Sequence, residues 1–339
     1  MGPTKWRRRD FLSTMTAVGG AGSLAWLAGS GEAAAHGDSR RRCAAPLAEK
    51  LTWRPPNTSG YTPLEITAAG NYALDPDIDY VVTKLDTEGS VQFFGGRNIV
   101  VIGGEIHNGS LGIRKTTWSG RVMHPRTVHI EGVLLSGEAN GDGIWGEAPE
   151  AIIQVENCRI EGRRGIKAGV HGDVIQMWGG VDELRIDGLS GFSSYQGIFS
   201  KVEPDKTDKP IGVYKMRRVD LHPAGEPYES GLPILLWFGS SDGYSPLRFE
   251  LERGSVWVQN ASHQQFRDAL WPKPDPEHIH EDGIGTYAVW PDLTPTGMTG
   301  LLVQDWNGNY GRVYHGGGRW GEYVPAGVAG VNYVSPGYL

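Results

Sequence analysis

Val155-Glu156-Asn157-Cys158-Arg159-Ile160, followed after a loop by His171-Gly172-Asp173-Val174-Ile175-Gln176, is the stretch whose reading decides the fold. The first half reads as a short strand that ends at a polar or glycine corner. The second half reads as another short strand that begins with polar groups. The first half recurs as Ile102-Gly103-Gly104-Glu105-Ile106, Ile130-Glu131-Gly132-Val133, Ile186-Asp187-Gly188-Leu189, Met216-Arg217-Arg218-Val219 and, more loosely, Leu251-Glu252-Arg253-Gly254-Ser255-Val256. Starts at 102, 130, 155, 186, 216 and 251 are 25 to 35 residues apart, a period that with strand-like units indicates a solenoid. The second half recurs in step, as Asp142-Gly143-Ile144-Trp145, Gln196-Gly197-Ile198-Phe199 and Pro233-Ile234-Leu235-Leu236.

Working outward, residues 98–258 form the repeat array and residues 61–97 an entry coil. Residues 259–339 read as closing coils and a C-terminal cap, so 61–339 is one domain. Within 259–285 the pattern breaks, and Gln264 to Leu270 suggests a short helix. Residues 36–60, with Arg54-Pro55-Pro56-Asn57, read as a linker that ends as an N-terminal cap; an uncapped solenoid would expose its core and strand edges. Residues 1–35 stand apart. Arg8-Arg9-Asp10-Phe11-Leu12 has the form of a twin-arginine export motif, with Ser13 in place of the usual Lys. A weakly apolar Gly/Ala-rich segment follows, too short and Gly-rich to span a bilayer well, and Ala33-Ala34-Ala35 offers a cleavage site. The expectation is a cleaved signal peptide and an extracytoplasmic protein with no remaining membrane span.

Composition narrows the class. Gly makes up 50 of 339 residues, about twice average usage, and the glycines sit at strand ends. Formal net charge is −7, and loss of residues 1–35 takes it to −9; after the N-terminal region Arg40-Arg41-Arg42 is the last basic run, which argues against a nucleic-acid partner. The two cysteines, Cys43 and Cys158, exclude a disulfide scaffold and a Cys-rich zinc site. Cys158 takes the slot of Val133, Leu189 and Val219 and reads as a small core residue.

Asn98-Ile99-Val100-Val101-Ile102-Gly103-Gly104 resembles the strand that opens many pectin-lyase-like right-handed parallel β-helices. The later repeats and His171 to Gln176 are similar to coils of secreted members of that superfamily. The resemblance covers roughly residues 64–258 and implies an all-β fold, a right-handed parallel β-helix with capped ends, and a glycan-cleaving or glycan-binding role. It does not extend to catalytic signatures. The Trp-Ile-Asp-His and Arg-x-Pro-x-x-Arg segments of pectate lyases are missing, as is the polygalacturonase series; Gly165-Ile166-Lys167 matches only a fragment of the latter.

The candidate chemistry lies in the second strand family. Stacked parallel strands lie about 4.8 Å apart, so equivalent polar groups of neighbouring coils form ladders. Asp142 and Asp173 share a slot, and Gln196 takes it in the next coil. Two carboxyl groups at such spacing suit a glycosidase, one raised and one ordinary in pKa; both also suit turn formation before a strand. His171 lies two residues before Asp173, so the two share a face of an extended chain, whereas Gln176 does not on a regular strand. Lys167 and Lys201 flank these strands, with Arg163-Arg164 upstream. β-Elimination from a uronate needs a cation for the carboxylate and a base for the C5 proton, which Lys167 or Lys201 with His171 would supply. Trp145, Trp178, Phe199 and Trp237 near the strand ends line either a sugar-stacking groove or an internal aromatic stack. Gln176, Trp145, Trp178 and Arg164 are the expected substrate contacts.

No cofactor is assigned. The oxygens of Glu138-Ala139-Asn140-Gly141-Asp142 suit calcium, in a loop shorter than most calcium loops. His278, His280, Glu281 and Asp282 lack a third distant ligand, so no metal is assigned there. The expected function is a monomeric, secreted polysaccharide-cleaving enzyme, a lyase acting on a uronate-containing glycan. The alternatives are a glycoside hydrolase using Asp142 and Asp173 and a non-catalytic glycan-binding protein.

Overall fold

A computed structural model of the chain describes residues 56–165, 169–201, 212–225, 233–239, 248–298, 300–318 and 321–335. The expected export segment, Lys167, Cys43, most of the linker and the loops at 202–211 and 226–232 lie outside the described residues. The described chain is all-β. It contains a large, mostly parallel sheet and, among the described residues, no α-helix, only short 3₁₀ turns. No helix there is long and apolar enough to cross a membrane.

The two strand families form two parallel ladders. In the first, Val101, Ile130, Val155, Ile186, Met216 and Leu251 stand in register, one per strand. The first repeat is therefore offset by one residue from the sequence alignment: Ile102 pairs with Glu131, and Val101 fills the apolar slot. Cys158, Leu189, Val219 and Val256 form a second apolar row, and the Cys158 thiol is fully buried, which pushes it up to about 12. In the other ladder Leu111, Ile144, Ile175, Ile198, Leu236 and Leu270 stand in register. These rows meet in one hydrophobic core. β-Branched and leucine side chains suit this arrangement because each packs on the like residue of the next strand.

The corner after each first-ladder strand explains the recurring Gly or polar residue. Gly103, Gly132, Asn157, Gly188 and Arg218 occupy equivalent positions, and all adopt left-handed φ between 48° and 77°. Gly132 has a second reason to lack a side chain: a Cβ there would lie 2.1 Å from the Tyr333 ring.

One expectation needs correction. The suggested helix at Gln264–Leu270 is a single 3₁₀ turn, Phe266–Ala269, and Leu270–Trp271 rejoins the second ladder against Leu236 and Trp237. The break in the pattern is thus a loop within the stack. Beyond it, Leu302–Asp305 extends the first ladder in parallel on Arg248–Leu251. Residues 321–335 then turn back across the outer side of that ladder. Tyr323 N donates to Asp220, Val324 N to the Ser190 hydroxyl and Gly330 N to the Gly132 carbonyl.

One core position is not optimised for stability. The Tyr214 ring is fully buried against Phe249, yet its hydroxyl has no hydrogen-bond partner, and burial raises its pKa. An unsatisfied buried hydroxyl costs about 1–3 kcal/mol. Tyr214→Phe is therefore expected to raise the urea midpoint; an unchanged or lower midpoint would refute the unsatisfied-hydroxyl account.

Candidate functional site

The outer side of the second ladder carries the row Trp145, Gln176, Phe199, Trp237 and Trp271, directly in register from strand to strand. Alternation with the inward row Ile144, Ile175, Ile198, Leu236 and Leu270 places it there. The rings touch along the row: Trp237 lies 4.9 Å from Phe199 and 5.2 Å from Trp271, centroid to centroid. Trp145 stacks on Trp178 at 5.4 Å with 22° between planes. The Arg114 guanidinium lies over both Phe94 and Trp145 and is tied to Glu147 at 2.6 Å. Trp145, Trp178 and Trp237 are half-buried and Trp271 is exposed, whereas Phe199 and Gln176 between them are buried, so the tryptophans are the members of the row that meet solvent.

Gln176 is the polar step in that row. Oriented with its nitrogen toward the carboxylates, its amide donates to Asp173 Oδ2 at 3.0 Å and to Asp142 Oδ2 at 3.2 Å. Asp142 and Asp173 thus come together, as their shared slot implied. Gln176 joins them, against the expectation from strict alternation. Val174 and Ile175 are consecutive yet both lie in the core, so alternation fails at the start of this strand and Asp173 and Gln176 reach the same side. Asp173 is fully buried, whereas Asp142 is half-buried. Beneath them runs Arg163, fully buried, with Nη1 donating to Gly109 O at 2.7 Å and Nε to Glu161 O at 2.8 Å. Burial pulls its pKa down to about 10 against the opposing charge of Asp142.

His171 packs on the Tyr195 ring at 5.1 Å and is half-buried. Lys201 follows Phe199 by two residues and is also half-buried. Arg164 forms an exposed ion pair with Glu138.

A second polar cluster, on the outer side of the first ladder, was not among the residues expected from sequence. Glu131, Glu156 and Asp187 stand in register on three successive strands, with no exposure to solvent. His129 Nε2 lies 2.9 Å from Glu131 Oε2, and Gln154 Nε2 donates to Glu156 Oε1 at 2.6 Å. Arg217 and Arg218 both pair with Asp187, each at 2.5 Å. The Tyr333 hydroxyl, from the returning C-terminal segment, donates to Glu131 Oε1 at 2.8 Å. Burial and the charges of Asp187 and Glu131 push Glu156 up to about 9. Burial by itself would raise Glu131 as well, but hydrogen bonds from His129, Ser335 and Tyr333 outweigh it and hold that carboxyl below its usual value. The signal was present in the repeats themselves: Ile130-Glu131-Gly132, Val155-Glu156-Asn157 and Ile186-Asp187-Gly188 each place an acid between the core residue and the corner.

On the strand that carries Arg217 and Arg218, His222 hydrogen-bonds Asp220 through Nε2 and Gln259 through Nδ1, at 2.8 Å for the latter, and stacks on Phe192. Burial alone would lower His222; the hydrogen bonds to Asp220 and Gln259 and the charges of Asp220 and Glu322 outweigh it and raise the imidazole above its ordinary value. The folded state therefore binds this proton more tightly than the unfolded chain. Its contribution is complete below the ordinary imidazole value of about 6.5 and is lost as pH rises through the higher folded value. The denaturant midpoint should fall over that window, and His222→Gln should flatten the fall; an identical profile in the variant would refute it.

Comparison of the chain with protein-family models, with curated proteins and with solved structures gives no match.

Proposed function

We propose that the protein is a secreted, right-handed parallel β-helix enzyme that cleaves a uronate-containing polysaccharide by β-elimination, exported by the twin-arginine route. Handedness follows the general rule for parallel crossover connections. The observation that carries the reading is the row Trp145, Gln176, Phe199, Trp237 and Trp271 on the outer side of the second ladder. Its steps are about 4.8 Å apart, so an extended glycan that follows the row meets the tryptophans at its two ends, Trp145 on one side and Trp237 and Trp271 on the other, across the buried Gln176 and Phe199. The single polar step is Gln176, itself buried, and beside it Asp142 is the carboxylate that reaches solvent.

Elimination fits this surface better than hydrolysis. A hydrolase needs two carboxyl groups in reach of the same sugar. Asp173 is fully buried beneath Gln176, which leaves Asp142 as the carboxylate of the pair that meets solvent. Elimination needs one base and one cation. His171 takes the C5 proton, the C5 electron pair forms the C4–C5 double bond, and the C4–oxygen bond breaks with its electrons on the leaving oxygen. Lys201, joined by Lys167 as the sequence suggests, neutralises the uronate carboxylate so that C5 becomes more acidic. The hydrolase alternative keeps one supporting observation, the shared Gln176 amide between Asp142 and Asp173.

The test is incubation with a panel of uronate polysaccharides. A lyase releases a product with the ultraviolet absorbance of an unsaturated uronate; a hydrolase releases reducing ends without it. Trp237→Ala is expected to raise KM about tenfold or more, the effect of removing a central aromatic contact. No ultraviolet product on any member of the panel would sink the lyase reading, and an unchanged KM in Trp237→Ala would remove the platform from it.

A further inference from the structure

The first-ladder cluster lies outside the proposed cleavage site and has a distinct character. His129, Glu131 and Glu156 each present one ligand atom within 4.8 Å of the other two, and all three side chains are buried. Buried carboxylates persist in proteins when they are paired or bind metal. Asp187 is paired, by Arg217 and Arg218. Glu131 has His129 and the Tyr333 hydroxyl. Glu156 has a neutral amide, from Gln154, on Oε1; its Oε2 is buried and has no hydrogen-bond partner. The cluster thus holds an orphaned carboxylate oxygen beside an imidazole and a second carboxylate.

We propose that His129, Glu131 and Glu156 bind one divalent transition-metal ion of the zinc class, in a buried site beneath the C-terminal segment. The chemistry of the donors selects the ion. Calcium takes six to eight oxygens, more than three side chains supply, whereas one imidazole and two carboxylates supply three of the four ligands that zinc takes. His129 Nε2 and Glu131 Oε2 already lie 2.9 Å apart, close to the separation of two ligands on one tetrahedral ion, about 3.3 Å for bonds of about 2.0 Å. The ion takes the place of the proton between Nε2 and Glu131, the neutral imidazole carries its proton on Nδ1 instead, and Glu156 Oε2 gains a partner.

The surroundings have the form of a ligand-orienting shell. Gln154 Nε2 donates to Glu156 Oε1 and lies 3.1 Å from His129 Nδ1; with an ion on Nε2 the imidazole proton sits on Nδ1, and Gln154 then turns its amide oxygen to accept it. Tyr333 donates to Glu131 and receives a hydrogen bond from Asn157 at 3.0 Å. The ion would therefore tie three things together: two neighbouring strands through Glu131 and Glu156, and, through Tyr333, the segment that crosses them. Its expected role is to close the stack, not to act on substrate.

The experiment uses the full chain, stripped with EDTA, reloaded with zinc chloride and desalted. Metal content is read by mass spectrometry, and the thermal midpoint is followed with and without zinc. About one zinc per chain and a higher midpoint with zinc are expected. Glu156→Gln keeps the shape and the Gln154 contact while removing the charged ligand. It should fold, as judged by circular dichroism, and bind zinc at least about 100-fold more weakly, more than loss of a ligand-orienting group costs. His129→Gln should do the same. Cobalt(II) provides a measurement free of variants: its visible bands should appear on loading the wild-type chain and vanish on addition of zinc. Absence of retained zinc in the wild type, or Glu156→Gln binding as tightly as wild type, overturns the assignment.

Discussion

His171→Ala is expected to lower turnover on a uronate polysaccharide by about 10²–10⁴-fold, the usual contribution of a positioned proton-transfer group. Affinity should change little, because the aromatic row and not His171 carries the stacking surface. Stability should change little too: His171 is half-buried at the entry to its strand and packs on one face of Tyr195. A merely structural histidine would give a different pattern, with a lower melting midpoint and a raised KM. Added imidazole provides a sharper readout. If His171 removes the C5 proton, free imidazole should restore part of the lost rate in His171→Ala and none in Lys201→Ala, where the missing group is a cation. Asp142→Asn sets the opposing case. Under the hydrolase alternative it should be the more damaging change, and reducing ends should vanish without any ultraviolet product having formed. Retention of activity within tenfold in His171→Ala would remove His171 from the mechanism.

What the sequence made legible follows from how each residue is positioned. The apolar rows are local and periodic, so Val155, Ile186, Met216 and Leu251 align by spacing alone, and the structure pairs them. Ile102 misaligned because Asn98-Ile99-Val100-Val101-Ile102 is apolar for four consecutive residues, and any of them fits an apolar slot until the partner strand chooses. Gln176 escapes the rule for a regular strand for a similar reason: period-two alternation assumes that neighbours point apart, and Val174 and Ile175 both enter the core. The acidic ladder was visible as a pattern but not as a cluster. An acid before a glycine corner reads as a solvated turn residue unless something covers it. What covers it is Tyr333, 202 residues from its partner Glu131, and no local pattern encodes that contact.

Phe249→Ala is expected to destabilise the folded chain by about 3–5 kcal/mol, the range for truncating a buried Phe. The ring has no exposure and sits between two others, 5.1 Å from Tyr214 and 4.6 Å from Phe238, both edge-on. Phe238 in turn meets Trp290 at 4.6 Å, and the Trp290 indole nitrogen donates to Pro272 O at 2.9 Å. Phe249 therefore joins three parts of the chain: the first ladder at Tyr214, the end of a second-ladder strand at Phe238, and the segment beyond residue 285. Edge-to-face pairs add about 0.5–1.5 kcal/mol beyond area burial, and Ala loses two of them and leaves a cavity that the flanking rings can only partly fill. Because each rung of such a stack contacts mainly its neighbours, the damage should spread along the stack and not stay at one residue. Hydrogen exchange should report that directly, with protection falling first at Tyr214 and Leu251, whose backbones pair with the strand or share it, and last at Tyr80 to Val82 at the far end. Tyr214→Phe, in the same cluster, is expected to move stability the other way. Opposite signs at two touching rings would separate the cost of an unpaired hydroxyl from the gain of a filled core. Equal destabilisation by both would mean that Tyr214 contributes through its hydroxyl, and uniform loss of protection across the whole stack would mean that the fold melts as a single unit rather than from this rung outward.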